Sequence, residues 1–375
     1  MNSLGLYIHI PWCVQKCPYC DFNSHALKSE TPEQQYIETL LNDLKKDLTL
    51  LSTPSTISSI FIGGGTPSLF SAKSFERLLA GISQLIPLQE GLEITLEANP
   101  GTFESDKFLA YREIGINRLS IGIQSFNNRH LKTLGRIHSA EEALKAIEIA
   151  HQAGFDNLNL DLMFGLPEQT PDEMCSDIRT AIAQNPSHIS FYQLTLEPNT
   201  YFHKFPPKLP EDEAIFSGQL ECQKLLAEAG YKQYEVSAYA KNNIKCQHNV
   251  NYWQFGDYLG IGAGAHGKLS NPYQKNIIRS MKAKSPADYL QNNSAINTTI
   301  STADLPLEFM MNQLRLKSGF NLDHYLRATG LSPETLQPAL SQCVDEGLLI
   351  ETGQHYSCSE KGWNFLDTLL EKFML

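Results

Sequence analysis

Apolar residues cluster in short runs through the first two hundred positions, at 4–10, 57–62, 92–98, 118–124, 157–163 and 189–196. These runs are rich in Ile, Leu, Phe and Tyr and short enough to read as strands. Between them the spacing changes from two to three and four: Ile37, Leu40, Leu41, Leu44 and Leu48, then Phe75, Leu78, Leu79, Ile82 and Leu85, mark the apolar stripes of amphipathic helices. Thr31-Pro32-Glu33-Gln34, Ser139-Ala140-Glu141-Glu142 and Thr170-Pro171-Asp172-Glu173 each place a hydroxyl three residues before a Glu or Gln, the signature of a capped helix start. The alternation predicts an α/β fold with a parallel sheet and right-handed crossovers. Six strand-helix units fall short of the eight of a closed barrel, so an incomplete parallel (β/α)6 barrel is expected over residues 1–205.

The pattern changes after that. Pro206-Pro207-Lys208-Leu209-Pro210 reads as a stiff connection into a helix over 211–230, followed by a strand over 231–239, and the apolar-poor stretch 292–302 reads as a boundary. Residues 206–298 are therefore expected to extend the barrel and 299–375 to form a small α+β unit. Its elements are helices near 305–316, 321–328 and 333–346, a strand pair at 349–357, and a closing helix with Leu366, Leu369, Leu370 and Phe373. Helices with one small hairpin suggest a winged-helix-like arrangement.

Charge narrows the function. A net charge of -11, with no Lys/Arg run longer than Lys45-Lys46, argues against a surface that tracks nucleic-acid phosphates, and hence against a DNA-binding role for the last unit, for which covering the barrel mouth is the better expectation. No apolar run approaches the roughly 18 residues of a membrane span, and the first cysteines follow the start too closely for a signal peptide, so a cytoplasmic protein is expected.

Cys13, Cys17 and Cys20 carry the strongest chemical signal. Three thiols spaced C-x3-C-x2-C point to an iron–sulfur cluster, and because Asp21-Phe22-Asn23 follows without a fourth ligand, one iron would stay open. The alternative is a zinc site completed by His9 or His25. The other five cysteines are scattered and read as reduced core residues. Parallel barrels build their sites at the carboxyl ends of strands. Here those ends carry the cysteine loop, Gly63-Gly64-Gly65-Thr66-Pro67, Glu97-Ala98-Asn99-Pro100, Gln124-Ser125, Asp161 before Gly165-Leu166-Pro167, and Gln193 to Glu197. Gly262 to Gly267 spells G-x-G-x-x-G but opens no helix afterwards, so it is no dinucleotide fingerprint. It reads either as a close-approach loop at the cofactor mouth or as a tight backbone crossing.

IHIPWC-x3-C-x-Y-C, GGGTPS, EANP, SIGIQS, LGR-x-H and NLDLMFGLP together resemble the radical S-adenosylmethionine (SAM) proteins, and within them the family of oxygen-independent coproporphyrinogen III oxidases and its haem-chaperone relatives, over most of the chain. The resemblance implies a [4Fe-4S] cluster on Cys13, Cys17 and Cys20, and SAM contacts at Tyr7, Gly64, Gly65, Thr66, Glu97, Gln124, Arg136 and Asp161. Two departures point away from the oxidases: Phe22 stands where they carry a further cysteine, and their extended N-terminal segment is missing. Conversely, His248-Asn249-Val250-Asn251-Tyr252-Trp253 resembles the HNxxYW signature of the chaperone branch, which implies haem with His248 as axial ligand and Tyr252 and Trp253 beside the ring. Cys246 is a competing ligand, and without the family a lone His among aromatics reads as a packed residue.

The expectation is thus a haem chaperone that binds haem and a SAM-liganded cluster and passes haem to an acceptor haemoprotein, with peripheral contact to a membrane acceptor left open. The alternatives are an oxidase that decarboxylates coproporphyrinogen III by radical chemistry, and a radical SAM enzyme acting on another substrate. No catalytic residue is assigned.

Overall fold

The computed structural model describes residues 2–27, 31–102, 105–271, 273 and 276–374. Strands β1 (Asn2–Ile10), β2 (Ser55–Gly64), β3 (Leu88–Ala98), β4 (Arg118–Gln124), β5 (Asn157–Phe164) and β6 (His188–Gln193) run parallel in that order. The crossovers carry helices α1 (Glu33–Asp47), α2 (Ala72–Leu85), α3 (Ser105–Glu113), α4 (Ala140–Gln152) and α5 (Pro171–Ala183), and α6 (Asp212–Glu228) follows the last strand. Odd and even strand positions face opposite sides. Leu4, Leu6, Ile8 and Ile10 of β1, and their equivalents Leu119, Ile121, Leu158 and Leu160, face outward and pack with Tyr36, Ile37, Leu40 and Leu44 in the main core. Most of the inward positions are polar. Arg118 lies wholly buried inside the barrel with its Nε 3.9 Å from Glu93 Oε2, while Asn159 donates to Ser120 Oγ at 2.7 Å and His188 bonds both Asn159 Oδ1 and the Tyr234 hydroxyl.

The sheet continues past the six strands on both sides. Beyond β6 the expected strand over 231–239 is a hairpin, β7 (Lys232–Glu235) and β8 (Ala238–Ala240), and β8 pairs antiparallel with β6. Beyond β1 come β9 (Tyr258–Ile261), parallel to it, then β10 (His266–Asn271), β11 (Asn276–Met281) and β12 (Ile296–Thr299), giving twelve strands in the order β12-β11-β10-β9-β1-β2-β3-β4-β5-β6-β8-β7. The stretch 292–302 thus contains an edge strand as well as a change of composition. Its side chains are all exposed, so it lacks the apolar face by which strands are recognised. Helix α7 (Gln247–Trp253) packs on β1 and β2 across the inner side of the sheet.

The turn at Gly262 is a tight backbone crossing. A side chain on Gly262 would stand 2.4 Å from the His9 carbonyl oxygen, and one on Gly260 1.8 Å from that of His266. Lys282 anchors the turn to α1, bridging Asp43 at 2.5 Å and Asp47 at 2.7 Å, while the Tyr289 hydroxyl donates to Asp43 and accepts from Gly262 N. The capping boxes at Ser139 and Thr170 form as read; Thr31 does not cap α1, because Pro32 occupies the cap position and no side chain bonds there. The last unit holds α8 (Leu305–Gln313), a helix over Leu322–Thr329, and a three-stranded sheet of β13 (Phe320–Asn321), β14 (Leu349–Thr352) and β15 (His355–Cys358). Pro338 divides the expected 333–346 helix into a 3-10 turn, Pro333–Leu336, and a helix, Ala339–Asp345, since proline cannot continue the backbone ladder. The closing helix is likewise two short ones, Glu360–Asn364 and Leu366–Glu371. Phe309, Tyr325, Leu340 and Leu369 form its core, which also takes in Phe255 from beyond α7.

Candidate metal centre and cofactor cavity

The cysteine loop leaves β1 through Trp12-Cys13, which pairs in parallel with His25-Ala26 and so closes the loop on itself. His9 braces it from beneath: Nδ1 bonds the Tyr7 hydroxyl at 2.9 Å and Nε2 bonds Asn23 O at 2.8 Å. Burial lowers the His9 pKa to about 4, so this brace is neutral. Gly65 N donates to Ile10 O and Thr66 N to Trp12 O, both at 2.7 Å, stitching the glycine loop to the cysteine loop. A side chain on Gly65 would meet Trp12 O at 2.5 Å and the Cys13 sulfur at 3.0 Å; only glycine lets backbone pass this close to the thiol.

Cys13, Cys17 and Cys20 open into a cavity of about 820 Å³, lined also by Gly64, Gly65, Thr66, Glu97, Gln124, Arg136 and Asp161. All the residues predicted for SAM except Tyr7 therefore share one space with the thiols. Tyr7 lies one layer deeper, holding His9 and stacking near Phe61, and does not line the cavity. Burial raises the thiol pKa of Cys13 and Cys20, an expense that ligation to a cationic metal core removes. Arg136 is fixed by its Nη2, 2.6 Å from Asn99 Oδ1 and 2.8 Å from Gly122 O, and its Nη1 reaches the Cys17 sulfur at 3.7 Å. Among the described residues no three His, Cys, Asp or Glu side chains converge tightly enough to hold a single metal ion; ligands of different irons in a cluster stand farther apart than ligands of one ion.

Two buried carboxylates form the far wall. Glu97 accepts from Gly64 N at 2.9 Å and is pushed up to about 8 by burial and then by Asp161. Asp161, raised by burial, accepts from Ser120 and Asn159. Gln124 sits at a register shift between β4 and β5 with φ +70°, and its amide oxygen accepts from the Tyr192 hydroxyl at 2.8 Å. A non-glycine residue in that conformation at a bulge re-aims its side chain, here into the cavity. Asn99 and Tyr192, which position Arg136 and Gln124, were not singled out in the sequence, although Asn99 belongs to the EANP motif.

The HNxxYW helix is α7. His248 is 1% exposed, packed between Tyr7, Phe61 and Tyr252, with Nδ1 3.1 Å from Ser59 Oγ and Nε2 without a protein partner. Burial lowers its pKa to about 3, which leaves a neutral imidazole with a free nitrogen, the form that ligates metal. Tyr252 packs on Tyr258, and Trp253 reaches the cavity wall with its indole nitrogen unpartnered. Cys246 is enclosed away from the cavity, its sulfur 3.6 Å from Glu93 and its pKa pushed up to about 12, mainly by burial. Arg315, from a part of the chain in which no site residue was predicted, also lines the cavity.

A partial parallel barrel whose first loop brings three thiols to a cavity edged by glycine backbone and buried carboxylates defines a protein of the radical SAM class, and residues 7–181 match the Radical SAM superfamily. Residues 300–365 match the HemN C-terminal domain. Two relatives bear the name heme chaperone HemW: that of Escherichia coli K12 is 48% identical, covering all of this chain and 99% of its own, and that of Haemophilus influenzae Rd is 49% identical, covering 100% and 98%. The solved coproporphyrinogen III oxidase HemN of E. coli shares the fold with a TM-score of 0.83 at 21% identity, over 99% of this chain and 90% of its own. The chain belongs to the HemW family. Membership of the radical SAM superfamily implies a [4Fe-4S] cluster and SAM.

Proposed function

We propose that this protein is a haem chaperone, binding haem alongside a SAM-liganded [4Fe-4S] cluster and passing the haem to an acceptor haemoprotein. One observation carries the reading: the helix bearing HNxxYW supplies Trp253 to the wall of the same cavity that receives the three thiols. The name borne by the two bacterial relatives supports it. Cys13, Cys17 and Cys20 would hold the cluster. Gly64 and Gly65, whose N–H groups are already donated within the protein, would let the methionyl end of SAM approach the backbone closely beside Thr66. Glu97 and Asp161 would accept from its amino or hydroxyl groups, and Gln124 and Arg136 complete the lining. Tyr7 acts from behind, through His9. When bound, the cluster supplies one-electron chemistry to SAM.

His248 Nε2 is the nitrogen free to ligate haem iron, with Tyr252 and Trp253 beside the ring. The ring is enclosed, so ligation goes with an outward shift of α7. Residues 1–205 would act as the radical SAM barrel, 206–298 as its extension bearing the haem segment, and 299–375 as the unit covering the mouth. No helix among the described residues is long and apolar enough to cross a membrane, and we place the protein in the cytoplasm, with any membrane acceptor reached by peripheral contact.

Phe22, at the cavity edge and 59% exposed, stands where the oxidases carry cysteine and weighs against coproporphyrinogen oxidation. Anaerobically purified, reconstituted protein should bind haem in stoichiometric amount and, with SAM and a reductant, make no protoporphyrinogen IX from coproporphyrinogen III. Sustained porphyrin turnover without haem uptake would reverse the reading.

A further inference from the structure

The cavity contains two guanidinium groups in different states. Arg136 is spent at both terminal nitrogens, on Asn99, Gly122 and Cys17, although its Nε is buried without a partner as well. Arg315 is not. Its Nη2 meets Glu235 Oε2 at 3.3 Å, its Nε is buried without a partner, and its plane lies over the Trp253 indole, 4.3 Å from the ring centroid. The Trp253 indole nitrogen is also buried and unpartnered. The backbone around Arg315 is pinned by Val236 N donating to its carbonyl at 3.1 Å and by the bridge between Glu235 and Leu316. A held guanidinium with open donors, stacked on an aromatic face and bordering a cavity, suits a planar carboxylate. Buried donors without acceptors are costly, and an incoming acceptor relieves that cost.

We propose that Arg315, stacked on Trp253, is a carboxylate-binding subsite that takes a propionate of the haem macrocycle. This rests on the haem-chaperone reading. It makes the region after residue 300 a direct contributor to ligand binding as well as a cover, because a carboxylate on Arg315 brings the attached ring alongside Trp253. Glu235 is a positioning residue, holding one edge of the guanidinium so that the remaining edge faces the ligand.

The test is an anaerobic absorbance titration of full-length, cluster-loaded protein with haem and with haem dimethyl ester, in the wild type and in Arg315→Gln, Arg315→Lys and Glu235→Gln. Loss of a charge-assisted hydrogen bond is expected to weaken haem binding about tenfold or more in Arg315→Gln, with a smaller loss in Arg315→Lys. The diester should bind wild type and Arg315→Gln equally weakly. Iron and sulfide content and SAM affinity should not change, and Glu235→Gln, which removes the charge of the ion pair but keeps the guanidinium and an amide oxygen to hold it, should retain most of the haem affinity. Equal haem affinity in wild type and Arg315→Gln would overturn the subsite, as would tight binding of the diester to wild type or an equal loss in Glu235→Gln. A fall in SAM affinity in its place would assign Arg315 to SAM. If the wild type binds haem and Arg315→Gln is unaffected, the subsite alone fails; if the wild type takes up no haem, the chaperone reading falls with it.

Discussion

At neutral pH Glu97 holds its proton. With its carboxyl raised from 4.5 to about 8, roughly nine in ten molecules carry the neutral form at pH 7. A cationic ligand reverses this preference, because an opposite charge a few ångström away favours the carboxylate. SAM carries a fixed sulfonium charge, so in the proposed placement its binding expels about 0.9 proton from Glu97 at pH 7 and only about 0.1 at pH 9. Any protons that SAM itself would release on binding are common to wild type and Glu97→Gln, and glutamine still offers an acceptor to Gly64 N. Calorimetric titration of cluster-loaded protein with SAM, in buffers of different ionisation enthalpy, counts the protons. Wild type should exceed Glu97→Gln by about 0.9 per SAM at pH 7, the gap closing by pH 9. Equal counts at pH 7 would refute the placement of SAM against Glu97. The apo fold carries the same signature: a carboxyl whose folded pKa lies above its unfolded value stabilises the fold fully below pH 4.5, and that contribution is lost as the pH rises through about 8.

Alanine at Cys13, Cys17 or Cys20 should reduce reconstituted iron and sulfide towards background, whereas Cys175→Ala and Cys343→Ala, in the core, should retain the full complement by iron analysis. His248→Ala removes a ring packed on three aromatics and should cost about 2–3 kcal/mol in denaturant unfolding; if the ring also ligates iron, the Soret band shifts while the cluster assembles normally, and an unaltered spectrum and affinity would leave His248 a packing residue. Trp253→Ala should weaken haem binding without changing the ligand-field spectrum. Lys282→Met strands Asp43 and Asp47 as buried charges and should cost about 3–5 kcal/mol at pH 7 by denaturant unfolding. That deficit should shrink as the pH falls through about 6, where Asp47 takes up a proton, and further once Asp43, whose carboxyl burial also raises, is protonated; a pH-independent deficit would show that the lysine serves through packing.

The six parallel strands were legible because each carries a buried apolar face, as in Leu4, Leu6, Ile8 and Ile10. The edge strand Ile296–Thr299 has no such face, and its composition reads as a linker. Thr31 had the spacing of a cap, but Pro32 fixes the backbone of the entering chain and takes the position. At the site, the thiols, glycines and strand-end acids could be read because each lies in a motif at the end of a strand. Arg315 could not: no spacing links it to a cavity whose other lining residues, Trp253 excepted, end at residue 197. The enclosure of His248 was equally illegible, since the same HNxxYW letters serve a helix turned inward or outward.

The side-chain amide of Asn23 has a temporal consequence. It donates to Ala263 O and to Lys284 O, both at 2.9 Å, and His25 lies 3.3 Å from the same Lys284 oxygen. The strand that leads into the loop, β1, gains one neighbour, β2, after about sixty residues of synthesis, but the other, β9, only once residue 261 has emerged. The cysteine loop is therefore encoded first and secured late. Such contacts, more than two hundred residues apart, form slowly and cannot form on a nascent chain that lacks them. Until then the loop lacks the contacts of Asn23 and His25 that fasten it along that side, and completion of the sheet supplies them.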